Sequence, residues 1–312
     1  MTDKSYNPEG YVPATDNPKW NQSYFYGCYD PDTRIGCMIR VGILENQQQS
    51  NSFVIFFKAG QPIFTRMNQN LPYVSERLDE GFEIADVHFR ATEPLQSSRI
   101  YYKGLDFAFD LTWEGIYSPP MVDCVEMSQD DDGTFAKEMM NVHFEGPYRI
   151  KGSVSIRDDG DFNINGTGYR DLSYGPRNWD VMHTYRLAWP YFPGNNVTFA
   201  TVHGQSIHGH SAYLKMMHDG QRWLGIKSME PSNEYYDDEM GIKSMYWVIV
   251  DEENRRWEFT AKNIFRAFIP LDTFCMTEQI MEYALKTADG KSIVGYGLGE
   301  CGYRFPFKGN SG

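Results

Sequence analysis

The sequence predicts an all-β protein of antiparallel sheets, and three observations carry that prediction. Strand-length runs rich in Val, Ile, Tyr, Phe and Trp recur at short intervals with turn residues between them, the pattern of antiparallel sandwiches and barrels. No helical pattern of ordinary length separates these runs, which disfavours a parallel βαβ architecture and leaves a pair of barrels. Aromatic residues make up 15% of the chain; such side chains suit half-buried strands and also line sites for apolar ligands. At 312 residues the chain exceeds an ordinary domain, so two domains with separate cores are expected.

Taken in order, the turn chemistry predicts a hairpin over residues 52–65 around Ala59-Gly-Gln-Pro and another over 153–164 around Asp158-Asp-Gly-Asp. Three more follow: residues 212–226 around His218-Asp-Gly-Gln, 246–261 around Asp251-Glu-Glu-Asn, and 280–296 around Ala288-Asp-Gly-Lys. Within residues 101–113, Leu105, Phe107, Phe109 and Leu111 fall on one face while Asp106 and Asp110 fall on the other, so one face is wet. Residues 136–141 fit one short helical turn, and Pro119-Pro120 with the acidic run Asp130-Asp-Asp132 marks a solvated loop. Pro176, Pro190, Pro193 and Gly194 interrupt the strand pattern. That places a domain boundary between 178 and 179, giving domains 1–178 and 179–312, with a ligand pocket expected at their junction.

The formal net charge of −13 argues against nucleic acid or an anionic membrane surface as partner, since binding phosphates needs concentrated Lys and Arg. No apolar stretch approaches the roughly 20 residues that cross a bilayer, and the polar start lacks the apolar segment of a signal peptide, so a cytoplasmic protein is expected. Cys28, Cys37, Cys124, Cys275 and Cys301 are scattered and odd in number, which predicts free thiols rather than a disulfide framework or a zinc site. His203, His208 and His210 lie close together, yet no carboxylate or thiol stands at ligand spacing, so no metal is expected. No cofactor-binding motif is read in the chain, and none is expected.

The stretch Gly166-Thr-Gly-Tyr-Arg-Asp-Leu-Ser-Tyr-Gly-Pro-Arg-Asn-Trp179 concentrates chemistry directly after a predicted hairpin. Gly166 and Gly168 are expected where the backbone adopts angles closed to other residues, and Asp171 stands among large side chains that would desolvate it. An alternative reading makes Asp171 the partner of Arg170 or Arg177 in a structural ion pair that only secures a strand end.

The same residues carry a resemblance. Glu145-Gly-Pro-Tyr-Arg-Ile-Lys-Gly152, a hairpin, then Gly-x-Gly-x-Arg-Asp-x-Ser-x-Gly-x-Arg is similar to the signature of the carotenoid 1,2-hydratase (hydroxyneurosporene synthase)-like superfamily, which includes kievitone hydratase-like proteins and decalin-forming Diels-Alderases. Trp20-Asn-Gln-Ser-Tyr-Phe-Tyr26, Asp30-Pro-Asp-Thr-Arg-Ile-Gly36 and Gly295-Tyr-Gly-Leu-Gly-Glu300 extend the likeness over most of the chain. The resemblance implies two lipocalin-like (calycin) antiparallel β-barrel domains with a ligand pocket at or between them. Where many members have Asp-His-Ser-Trp-Gly, this chain has Asp171-Leu-Ser-Tyr-Gly175, so Leu172 replaces a proton-carrying histidine. Any proton transfer inherited at this spot then falls to Asp171, with Tyr174 as a second candidate.

What the resemblance implies is a cofactor-independent lyase or isomerase, a hydratase or cyclase, acting on an alkene of a hydrophobic terpenoid, polyketide or phenolic molecule of secondary metabolism. Asp171 is the expected acid. Glu145, which shares strand parity with His143, competes for that role, because a guanidinium close to Asp171 would lower its pKa. Arg170 and Arg177 would orient the acid or a polar substrate handle. Trp179, with Trp20 and Tyr24 near the start, would supply aromatic walls, and His203 and His143 complete the expected lining. Two other classes stay open: a carrier that holds an apolar metabolite unchanged, and a Diels-Alderase-like cyclase that works by holding one reactive conformer.

Overall fold

The computed structural model describes residues 7–124, 134–238, 240–271, 273–287 and 290–304. The loop expected around Asp130-Asp-Asp132 and the Ala288-Asp289 half of one expected turn lie outside these residues. What is described is all-β, with one short helix, α1 (Thr134–Met139). No helix among the described residues is long and apolar enough to cross a membrane. The chain divides into two compact units, Met1–Val122 with Val142–Pro176, and Asp123–Asn141 with Arg177–Gly312.

The first unit is formed by β1 (Trp20–Asp30), β2 (Ile35–Leu44), β3 (Gln49–Lys58), β4 (Gln61–Pro72), β5 (Phe82–Ile84), β6 (Val87–Glu93), β7 (Ser97–Lys103) and β8 (Phe107–Gly115). The short β9 (Met121–Asp123) and the long hairpin β10 (Val142–Ile156) and β11 (Gly160–Pro176) complete it. Its strand order is β4-β3-β2-β1-β11-β10-β8-β7-β6-β5, so the late hairpin is inserted between the first strand and the eighth, and the sheet has two edges. Side chains bridge those edges: Arg66 of β4 donates to the Ala85 carbonyl at 2.8 Å, to Asp86 at 3.1 Å and to the Tyr102 hydroxyl at 2.8 Å. Alternation fills the core. Trp20, Tyr24, Tyr26 and Cys28 of β1 point inward with Ile39 and Val41 of β2 and with Phe107, Phe109, Leu111 and Trp113 of β8. Leu105, assigned by alternation to that inward row, instead sits in the turn before β8 and is 97% exposed.

The second unit runs β12 (Met182–Phe192), β13 (Val197–Ser206), β14 (Ser211–His218), β15 (Trp223–Tyr235), β16 (Ile242–Asp251), β17 (Arg256–Leu271), β18 (Phe274–Lys286), β19 (Ser292–Leu298) and β20 (Cys301–Arg304). Because β12 pairs with both β13 and β19, strands β12 to β19 close into a ring, with β20 pairing β12 and β18. Phe192, Phe199, Trp247, Phe259 and Tyr283 fill its core.

All five expected hairpins are present. Between β3 and β4 the turn is made by Ala59 and Gly60, both left-handed, which matches the right-handed twist of the flanking strands. The five cysteines are free thiols.

Gly166 and Gly168 correct the sequence expectation. Neither lies in the left-handed region; glycine is needed because β1 approaches too closely for a side chain. A Cβ on Gly168 would stand 2.0 Å from the Gly27 carbonyl oxygen, and one on Gly166 would stand 2.5 Å from that of Tyr29. The second unit repeats the device. Cβ atoms on Gly295 and Gly297 of β19 would stand 2.2 Å and 1.9 Å from the carbonyl oxygens of Tyr191 and Trp189 in β12.

Candidate active site

Three adjacent strands of the first unit carry the candidate chemistry. The β10–β11 register sets Glu145 opposite Asp171 and His143 opposite Ser173, and β1 on the other side of β11 sets Phe25 opposite Asp171 and Ser23 opposite Ser173. Strand alternation turns all of these away from the core, because their chain neighbours Phe144, Leu172, Tyr24 and Tyr26 belong to it. The group is nevertheless buried. Ser23, His143 and Ser173 are almost inaccessible, Glu145 is 0% exposed, and the Asp171 side chain is 17% exposed.

His143 Nε2 stands 3.5 Å from Glu145 Oε2 and 3.6 Å from Asp171 Oδ2, so one imidazole reaches both acids. Neither carboxyl oxygen of Glu145 has a hydrogen-bond partner among the described residues. Burial pushes the Glu145 carboxyl well above the ordinary carboxylate range, and the nearby Asp171 charge adds to the push. The physical cause is that a carboxylate stripped of water and given no donor is far costlier than the neutral acid. That direction favours the neutral carboxylic acid, the state a general acid needs. On the other side of Asp171 the Phe25 ring lies 6.3 Å from Phe53, edge to face at 70°. Farther along the same face Arg40 donates to Asn51 Oδ1 at 2.8 Å. The missing side chain of Gly42 leaves the space in which Asn21, Asn51 and Arg40 meet.

Of the residues singled out by sequence, the structure brings together His143, Glu145 and Asp171. Arg170 does not join them. It points into the core of the first unit, where it forms a fully buried ion pair with Glu9 and lies 5.2 Å and 5.8 Å from the Tyr26 and Tyr148 rings. Arg177 donates to the Met139 carbonyl. The expected ion pair of Asp171 with Arg170 is not formed, because Arg170 leaves the opposite face of β11 and pairs with Glu9. Tyr174, Trp20 and Tyr24 also face the core, with the Trp20 and Tyr174 rings 6.3 Å apart. Trp179 belongs to the second unit and stacks on Phe274 at 5.4 Å. His203, also of the second unit, stacks on Tyr213 at 4.4 Å. His208 and His210 occupy the exposed turn after β13. No group of three or more His, Cys, Asp or Glu among the described residues is arranged to hold a metal ion.

Sequence reasoning passed over Phe25, Ser23, Asn21 and Arg40. The signal was available in the alternation of β1: residues two and four positions before Phe25 share its face, whereas the larger Trp20, Tyr24 and Tyr26 share the other.

The fold is found in solved structures of very different sequence. Kievitone hydratase from Nectria haematococca superposes with a TM-score of 0.59 at 8% identity, over 95% of this chain and 97% of that one. CghA, in a structure with Sch210972, superposes with a TM-score of 0.63 at 9% identity, over 96% and 95%. The chain thus has a kievitone hydratase-like, all-β lipocalin-like fold. No curated protein sequence matches it. The sequence model of one family, a domain of unknown function designated DUF7064, matches residues 9–303, and the chain belongs to that family.

Proposed function

We propose that this protein is a cofactor-independent lyase or isomerase, of hydratase or cyclase type, that acts on an alkene of a hydrophobic terpenoid, polyketide or phenolic molecule, with Glu145 as the acid. One observation carries the reading: a fully buried carboxyl, without a hydrogen-bond partner among the described residues, pushed by burial toward its protonated form within reach of a histidine and a second acidic side chain. The name of a protein sharing the fold, kievitone hydratase, supports the same class. The two units are read as two lipocalin-like domains, with the acid in the first.

In the proposed reaction the Glu145 O–H bond breaks and its proton goes to one alkene carbon, while the π electrons form the new C–H bond. Positive charge on the other carbon is stabilised by the electron-rich ring face of Phe25. For hydration, water adds to that carbon and its surplus proton returns to the Glu145 carboxylate, directly or through His143 and Asp171. For isomerisation or cyclisation the carboxylate takes a proton from a carbon of the cation instead. Asp171, the acid anticipated from sequence, serves instead as the base that keeps Glu145 supplied. Arg170, Tyr174, Trp20 and Tyr24 support the strands from the core side.

The test is to incubate apolar alkenes of the three classes with the protein in D2O and in H2(18)O, and to follow label uptake by mass spectrometry. Glu145→Gln is expected to reduce uptake by roughly 10²–10⁴-fold, the usual contribution of a general acid, with binding retained. Label uptake unaffected by the substitution overturns the role of Glu145 as the acid, and product formed without label uptake leaves a shape-driven cyclase. No label uptake by the parent protein together with tight binding leaves a carrier.

A further inference from the structure

The inner face of the second unit presents a different chemistry. In the cross-strand register Tyr213, His203, Arg186, Cys301 and Thr277 form one row across β14, β13, β12, β20 and β18. Lys215 and Tyr303 extend the same face by one position on either side, since Lys215 follows Tyr213 by two residues and Tyr303 follows Cys301 by two. Arg186 is held through Nε by the Tyr235 hydroxyl, which accepts. No acid pairs with Arg186, His203 or Lys215 among the described residues. In a chain of net charge −13, a cluster of two cations and an imidazole left without counter-charge calls for an explanation.

Two further atoms point to a ligand. Thr277 is 0% exposed; its Oγ1 and the buried Tyr303 hydroxyl lie against each other and the Cys301 thiol, yet neither makes a hydrogen bond of good geometry among the described residues. Buried hydroxyls are normally satisfied, so such a pair beside a half-buried guanidinium marks a place where hydrogen-bond acceptors are missing.

We propose that the second unit binds an oxyanion on this inner face, and that the ligand is the carboxylate of an aromatic acid. With Nε of Arg186 engaged by Tyr235, the Nη1 and Nη2 pair remains as the fork that grips a carboxylate through two parallel bonds. Thr277 and Tyr303 are hydroxyl donors to its oxygens, and Lys215, 4.8 Å over the Tyr213 ring, adds charge. Burial keeps the Tyr303 hydroxyl protonated by raising its pKa. The His203 imidazole is pushed below its usual range by burial and then by the Arg186 and Lys215 charges. The stack of His203 on Tyr213, at 4.4 Å and 2° between planes, gives a flat wall against which an aromatic ring lies. This site is built of second-unit residues alone and does not rest on the chemistry proposed for Glu145.

The experiment titrates the full chain with benzoate and with neutral benzamide at low ionic strength, reading the His203 ring resonances by NMR. Benzoate is expected to shift them saturably and to raise the His203 pKa, while benzamide binds at least about tenfold more weakly, because it lacks the charge-assisted pair. Arg186→Gln is expected to weaken benzoate at least about tenfold and Lys215→Gln by less, with Arg186→Lys between the two, since it keeps charge without the fork. Glu145→Gln is expected to leave benzoate affinity unchanged, so failure of this site and failure of the proposed acid are told apart. Benzoate that leaves the His203 resonances unmoved, or that binds Lys215→Gln and Arg186→Lys as tightly as the parent, overturns the proposal. So does benzamide binding as tightly as benzoate.

Discussion

The two units carry the same device in their closing strands and use it differently. In β11 the pair Gly166 and Gly168 lets the strand lie against β1, and Asp171 follows three residues later; in β19 the pair Gly295 and Gly297 lies against β12, and Glu300 follows three residues later. Each acid faces a second one across its hairpin. Glu145 is opposite Asp171 by direct register. Continuing the β18–β19 register by two residues sets Glu278 opposite Glu300, as the bond from the Gly299 amide to the Gln279 carbonyl requires. The surroundings then part company. The Tyr185 hydroxyl donates to Glu300 at 3.2 Å, and burial with the two acids raises the Tyr185 pKa well above its usual value. In the first unit no hydroxyl reaches Glu145; it has His143 at 3.5 Å instead. The lesson is that a repeated backbone position supplies a pair of acidic side chains, and the neighbouring side chains decide whether it is tied by a hydroxyl or set beside an imidazole.

The largest effect that sharpens this comparison is expected from the glycines. Gly297→Ala and Gly168→Ala each drive a Cβ to about the length of a bond and a half from a carbonyl oxygen, 1.9 Å and 2.0 Å. Overpacking against backbone costs about 3 kcal/mol or more at such sites. The cost is expected to be greater at Gly297, because displacing a strand of a closed ring disturbs both neighbours, whereas the open sheet of the first unit can shift toward its edges. Urea unfolding of the two variants checks this, and equal losses would break the contrast between open and closed sheets.

A second prediction concerns pH. Glu145 has a raised pKa in the folded state and an ordinary value of 4.5 otherwise, so above that value the folded protein holds a proton that the unfolded chain has lost. Stability from this group is complete below about pH 4.5 and falls as pH rises toward the folded pKa, with a slope of about 1.4 kcal/mol per pH unit. Glu145→Gln is expected to remove that slope and to be the more stable protein relative to the parent as pH rises. Parallel stability curves for the two proteins between pH 5 and 8 would exclude a neutral buried Glu145.

The smallest effect is expected at the open edge. Arg66→Gln removes the side-chain bridge from β4 to Ala85, Asp86 and Tyr102, at a cost of about 1–2 kcal/mol. Hydrogen exchange should quicken in β4, β5 and β6 and stay unchanged in the second unit. Faster exchange spread over both units would show that the bridge is not what holds those edges.

Much of this protein was determined by the chain itself. Alternation and turn chemistry specify strands and hairpins locally, because a strand needs only a period of two and a turn needs only a few residues with the right backbone freedom, as Gly60 illustrates. The same local logic put His143 and Glu145 on one face. Tertiary structure alone decided which face that is and what stands on it. Asp171 and Arg170 are neighbours in the chain and, being one residue apart on a strand, face opposite ways, so Arg170 meets Glu9 in the core while Asp171 meets Glu145. The pairing of β11 with β1 brings Phe25 to Asp171 from far away in sequence, and burial too is a property of strands gathered from the whole chain. The role proposed for Glu145 rests on that burial, since the proton on a carboxyl is governed by the water and donors around it, which no short stretch of sequence encodes.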